Sequence, residues 1–127
     1  APAADMTRDL MWEEFSAEAR AELEQRGHCQ QPSAYGEPYT ITQKLLRDGD
    51  RHLILKKGIE LNCPVRILQG TDDKDVPPAH ALKVFDAIAS PDVTMTLVQG
   101  GDHRLSTPSN LLLIRETVAQ LALRADG

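Results

Sequence analysis

Apolar residues recur along this chain in two periods, and the places where the period changes mark its elements. From Thr7 to Arg26, the residues Leu10, Met11, Phe15, Ala19 and Leu23 fall three to four apart, which predicts helix. Ser16, with Glu18 in the first turn behind it, is placed to cap a second helical segment, and Gly27 to end it in a left-handed conformation. His28 to Pro38 holds Pro32, Ser33, Gly36 and Pro38 and reads as a turn-rich loop, followed by a very short strand over Tyr39 to Ile41. Thr42 can then cap a helix with Leu45, Leu46, Leu53 and Ile54 facing inward, although Gly49 between two aspartates opposes an unbroken one. Gly58 closes this region.

The rest of the chain is organised around Cys63 to Pro78, CPVRILQGTDDKDVPP. Val65, Ile67 and Leu68 predict a strand ending at Gly70, an acidic turn follows, and Pro78 sits where a helix can begin without its missing N–H. Asp75 is the expected cap of that helix, whose apolar positions are Leu82, Phe85 and Ile88, up to Ser90-Pro91. Val93, Met95 and Leu97 alternate with Thr94 and Thr96, a strand with one more polar face, as suits a sheet edge. Thr107 and Pro108 start a last helix with Leu111, Ile114, Val118 and Leu121 on one side, expected to pack back across the sheet. Strand, helix, strand, helix implies parallel strands joined by a right-handed crossover, the α/β class. Two or three strands cannot build a parallel sheet covered on both faces, so the chain reads as the C-terminal part of a doubly wound, mostly parallel sheet, incomplete as a standalone domain.

Composition narrows the function. With 127 residues, the chain has the length of one ordinary domain. A net charge of −5 and the lack of a basic run argue against binding nucleic-acid phosphates or anionic lipid. No apolar run reaches the roughly 18 residues of a membrane span, and no signal peptide is recognisable, so a cytoplasmic location is expected. Cys29 and Cys63 form no C-x-x-C pair and read as reduced structural thiols. Opening on Ala1, not Met, the sequence is expected to be part of a longer polypeptide.

Candidate chemistry lies at the two predicted strand ends. The spacing G-x-x-D-x-x-V-P is met by Gly70, Asp73, Val76 and Pro77, and G-x-H by Gly101 and His103. Ligands of open parallel sheets bind at the carboxyl ends of the strands. An acid and an imidazole on adjacent strands, about 5 Å apart, can hydrogen-bond, and the oriented ring can then activate a nucleophile. Each residue alone has an ordinary reading: Asp73 as a turn former beside Asp72 and Asp75, His103 as a surface loop residue. It is their joint occurrence, acid then base, that points to catalysis. His28, His52 and His80 have no such setting and read as surface or partly buried residues. A calcium loop at Asp48 and Asp50, or a metal site at Asp72, Asp73 and Asp75, lacks further oxygen ligands, so no metal and no cofactor is expected.

These features, with APAAD at the start, Pro32-Ser33-x-Tyr35 and Asp102-His103-Arg104, resemble the α/β-hydrolases, and within them the abhydrolase-domain acyl-protein thioesterases. The resemblance covers nearly the whole chain and is strongest from Asn62 to Pro77. It implies a cofactor-free serine hydrolase acting on acyl esters or thioesters, with Asp73 as acid and His103 as base, and a mitochondrial location in a eukaryote. It further implies that residues 1–5 end a preceding core strand and loop, that 6–58 form a helical cap, and that 59–127 form the C-terminal α/β core. Leu10, Met11, Trp12 and Phe15 would line the acyl pocket, although such a stripe is also what a helix core face looks like. No G-x-S-x-G elbow occurs: Ser16, Ser33, Ser90, Ser106 and Ser109 lack the flanking glycines. The nucleophile and oxyanion donors are therefore expected upstream, in an N-terminal half of the domain supplied by the same parent or a partner chain. The chain alone would then be inactive. The rival reading is a non-catalytic interaction subunit, or inactive remnant, whose sheet edge pairs with a partner chain.

Overall fold

The computed structural model of the chain describes residues 1–125. It resolves into two compact units, Ala4–Ile54 and Leu55 onward, the latter joined by Ala1–Ala3.

In the first unit, a π-helical turn over Thr7–Trp12 precedes α1 (Ala17–Arg26), strands β1 (His28–Ser33) and β2 (Gly36–Thr42), and α2 (Gln43–Asp50). The helix boundaries follow the predicted caps. Ser16 accepts a 3.1 Å hydrogen bond from the Ala19 N–H, Gly27 takes φ 78°, and Thr42 accepts from the Leu45 N–H at 3.1 Å. Ala19, Leu23, Cys29 and Leu46 form the core, with Met11, Trp12, Phe15 and Ile41 packed against it. The Arg20 guanidinium covers the Trp12 ring at 5.0 Å and donates to the Trp12 carbonyl at 2.8 Å, fixing the π-helical turn to α1.

The sequence reading of this unit needs three corrections. His28 to Pro38 is no loop, because β1 and β2 pair antiparallel from His28↔Thr42 to Ser33↔Gly36, so the region carries a hairpin as well as helices. Prolines at 32 and 38 and largely exposed polar residues hide the strands; the ladder is irregular between Gln31 and Ser33. Second, α2 runs through Gly49, which admits the Thr7 side chain: a Cβ there would lie 2.1 Å from Thr7 Oγ1. Third, α2 stops at Asp50 and buries only Leu46, leaving Leu45 and Ile54 exposed. Asp48 pairs with Arg51, and Asp50 with Arg8 at 3.0 Å, so these carboxylates balance arginines.

In the second unit, β3 (Ile59–Glu60), β4 (Val65–Gly70), α3 (Pro78–Ala87), β5 (Ile88–Ala89), β6 (Val93–Val98) and α4 (Pro108–Ala125) follow one another. β4 and β6 are parallel neighbours in register from Val65↔Val93 to Gly70↔Val98, so both strands deliver their ends to the same edge. β3 and β5 make a second, two-residue parallel pair. The bases of β4 and β6 are held by Arg66, which donates to Asp92 at 2.8 Å, while Arg124 of α4 reaches the same carboxylate. Ile67, Val76, Ala81, Val84 and Leu105 are the buried apolar residues of the unit.

Here too the helix faces differ from the predicted ones. α3 starts on Pro78 with Pro77 as its cap residue and no side-chain cap, so Asp75 does not cap it. Its buried face is His80, Ala81 and Val84, and Leu82 is exposed; His80, expected at the surface or partly buried, is 4% exposed. Ile88 leaves the helix to begin β5. Thr107 accepts from the Asn110 N–H at 3.3 Å at the start of α4. α4 completely buries none of its residues through Arg124, and its more covered side is Leu113, Ile114, Thr117 and Leu121, leaving Leu111 and Val118 exposed. No helix among the described residues is long and apolar enough to cross a membrane.

Candidate active site

The site stands where β4 and β6 end side by side. Beyond Gly70 and Val98 the two loops are stitched together. Thr71 N–H donates to the Val98 carbonyl at 3.0 Å, Asp72 N–H to that of Gly101 at 2.9 Å, and Gly100 N–H to Thr71 Oγ1 at 2.8 Å. These bonds set the height of Asp73 against that of His103.

Asp73 is held from below. Its Oδ1 accepts the N–H groups of Asp75 at 3.0 Å and Val76 at 2.8 Å, the local turn that an aspartate with a free side chain can close. The carboxylate is fully buried, while the His103 side chain is 40% exposed. His103 Nδ1 lies 3.0 Å from both Asp73 oxygens. An ionised carboxylate only accepts, so Nδ1 carries the proton and Nε2 is left as the basic nitrogen. Nε2 has no hydrogen-bond partner among the described residues. Burial, the largest single influence on Asp73, pushes its pKa up. The hydrogen bond from Val76 N–H, then those from His103 and Asp75 N–H, with the His103 charge, outweigh it and hold the carboxyl below its ordinary value.

His103 owes its place to a tight turn. Asp102 Oδ1 accepts the Leu105 N–H at 2.8 Å, and Leu105 takes φ 47°, a left-handed conformation costing a non-glycine residue about 1–2 kcal/mol. Its buried side chain, 5% exposed, anchors the turn against that strain.

Asp73, Asp75 and His103 offer ligand atoms within 4.8 Å of one another, and could together approach a metal ion. The donor set fits poorly: Asp73 Oδ1 already accepts two backbone N–H groups, and both its oxygens face the His103 N–H that an ion would displace.

Of the residues singled out in the sequence, the structure brings Asp73 and His103 together. Leu10, Met11, Trp12 and Phe15 belong to the unit Ala4–Ile54, where the last three pack against its core and all four stay partly exposed. Gln69 escaped the sequence reading. It is completely buried, and its Nε2 donates to the carbonyls of Gly70 at 3.0 Å and Val76 at 2.8 Å. A glutamine directly after the apolar pair Ile67-Leu68, at the end of a strand, is the signal that could have found it.

No protein-family model matches the chain. It is 32% identical over 123 residues to "Palmitoyl-protein thioesterase ABHD10, mitochondrial" of Pongo abelii, a match over 95% of this chain and 40% of that protein. The Homo sapiens protein of the same name is 31% identical over the same shares, and that of Mus musculus 34% identical over 82% of this chain and 36% of its own length. Among solved structures, a candidate hydrolase from Agrobacterium vitis S4 superposes with TM-score 0.90 at 40% identity, covering 94% of this chain and 46% of that one. The α/β-hydrolase domain-containing protein 10 of mouse superposes with TM-score 0.82 at 31% identity, covering 97% and 50%. The chain thus spans only 36–40% of the length of these curated relatives.

Proposed function

Since the chain is homologous to the palmitoyl-protein thioesterase ABHD10 and carries part of the α/β-hydrolase fold, we propose that it supplies the acid and base of a serine hydrolase that cleaves acyl esters or thioesters. The observation that carries this reading is His103 Nδ1 at 3.0 Å from both oxygens of buried Asp73, on the ends of adjacent parallel strands. In this mechanism His103 Nε2 takes the proton of an attacking serine hydroxyl and returns it to the leaving group. Asp73 keeps the ring in the tautomer that exposes Nε2 and stabilises the imidazolium formed during attack. The serine comes from polypeptide outside these 127 residues, which contain no G-x-S-x-G elbow. Oxyanion donors arise beside that serine and in an earlier loop, so the isolated chain is inactive.

The name of the relatives makes a palmitoyl-cysteine thioester the first substrate to try. This reading assigns residues 6–58 to the cap, and Leu10, Met11, Trp12 and Phe15 to contacts with the acyl chain. Of these four, Trp12 lines the unit's cavity of about 180 Å³, beside Leu23 and Leu46 and the charged Arg8, Glu24, Arg47 and Asp50.

The test uses a polypeptide in which this chain is joined to, or assembled with, the portion carrying the serine elbow. His103→Ala and Asp73→Asn should each lower hydrolysis of p-nitrophenyl acyl esters and palmitoyl thioesters by about 10³-fold or more. Full turnover by either variant would overturn the assignment.

A further inference from the structure

We propose that Gln69 is a positioning residue for the Asp73 and His103 pair, acting through the backbone of the acid loop; the inference rests on the triad reading above. Position 69 is completely buried, between Leu68 and Gly70 at the end of β4. Leucine or methionine would fill it without burying a polar side-chain atom. Glutamine does not, because its Oε1 is buried with no hydrogen-bond partner among the described residues. Turning the amide over cannot repair this, since Oε1 would then face the two carbonyl oxygens that Nε2 now serves. A residue that carries such a desolvation penalty is not kept for packing.

What the amide provides is a clamp. Nε2 donates to the carbonyls of Gly70 and Val76, the two ends of the loop that bears the acid. Val76 in turn gives its N–H to Asp73 Oδ1 at 2.8 Å, the shorter of the two backbone bonds to that oxygen. Gln69 therefore fixes Val76 through its carbonyl, and Val76 fixes the carboxylate through its N–H. The aim of Asp73 at His103 Nδ1 follows from both.

Nuclear magnetic resonance on the full chain tests this, comparing wild type with Gln69→Met, which keeps the bulk and removes both donors. Loss of the clamp should speed amide exchange at Asp75 and Val76 on the order of tenfold relative to Ile67 and Leu68. The low-field Nδ1–H signal of His103 should broaden or vanish. A merely structural role would instead raise exchange throughout β4 equally, and that result, or an unchanged Val76, overturns the proposal. If Gln69→Met does not fold, the wild-type carboxamide protons of Gln69 decide: protection from exchange supports the clamp, and free exchange overturns it. Absence of the His103 signal from wild type would count against the triad reading, while the Val76 comparison would still report on Gln69.

Discussion

Gly70, the last residue of β4, and Gly101, in the loop after β6, touch backbone to backbone. A Cβ on Gly70 would stand 2.2 Å from the Gly101 carbonyl oxygen, and one on Gly101 would stand 3.1 Å from Gly70 Cα. Two strand ends a sheet spacing apart normally part company as their loops turn away. Here the absence of side chains lets the loops cross in contact, and Asp73 and His103 meet three and two residues further on.

Gly70→Ala should therefore separate the loops. Its methyl would meet backbone, which cannot rotate aside, so the overpacking cost should reach about 1–3 kcal/mol or more. Urea denaturation measures the loss. The second expected sign is disappearance of the low-field His103 Nδ1–H signal, and a variant that retained both stability and signal would show that the contact is dispensable.

The strand ends and their chemistry were legible because the residues that build them act locally. Gly70 stops a strand, Asp73 closes a turn on the N–H groups of Asp75 and Val76, and Gly100-Gly101 lead into the loop of His103. Of the β1–β2 hairpin only Tyr39 to Ile41 was legible, since HCQQPS and the start of GEPYTIT are polar and proline-bearing and, Cys29 apart, bury little. Asp75 does not cap α3 because the residues two and three beyond it, where a cap finds its donors, are Pro77 and Pro78, which have no N–H. Pro77 is the cap residue and the helix begins at Pro78. The buried faces of α3 and α4 depend on what each helix meets, which a stripe of leucines does not specify. His80 was buried although nothing in its local pattern demanded it.

Acid should loosen the second unit through Asp73. Its folded carboxyl lies below the ordinary value, so its contribution to stability is fully present above the unfolded pKa of about 4. That contribution should fade as pH falls below about 4, through the lowered folded pKa. Asp73→Asn removes the titrating group and should flatten this part of the stability profile below pH of about 4. Denaturation midpoints collected as a function of pH for both proteins check the difference.

Within the unit Ala4–Ile54, Gly49 permits a contact of the same kind. An added Cβ would lie 2.1 Å from Thr7 Oγ1 and 2.7 Å from both Thr7 Cβ and Cγ2, so the whole Thr7 side chain would have to move. Alanine in a helix is ordinarily worth about 1 kcal/mol over glycine. At position 49 the clash should reverse that sign and destabilise the protein by about 1–3 kcal/mol. Thr7→Gly in the same chain should restore the helix benefit, and a double-mutant cycle by thermal or urea unfolding reads the coupling.

Two carboxylates approach His103 Nδ1, and their surroundings predict unequal roles. Asp73 is fully buried at 3.0 Å, held by two backbone N–H groups; Asp75 is 50% exposed, with its nearer oxygen 4.0 Å away. An exposed pair at that distance is worth about 0–1 kcal/mol, screened by water and salt. Asp75→Asn keeps the backbone N–H that Asp73 uses, so it should lower hydrolysis in the assembled enzyme by no more than about fivefold, the rate equivalent of 1 kcal/mol. Asp73→Asn replaces the acceptor-only carboxylate that fixes the ring tautomer with an amide that can also donate, and should lower the rate by about 10³-fold or more under the same assay. Steady-state hydrolysis of a p-nitrophenyl ester by the two variants separates the cases. Equal losses would mean that Asp75 shares the ring in the reacting state, and a larger loss at Asp75 would move the acid of the proposed triad from one aspartate to the other.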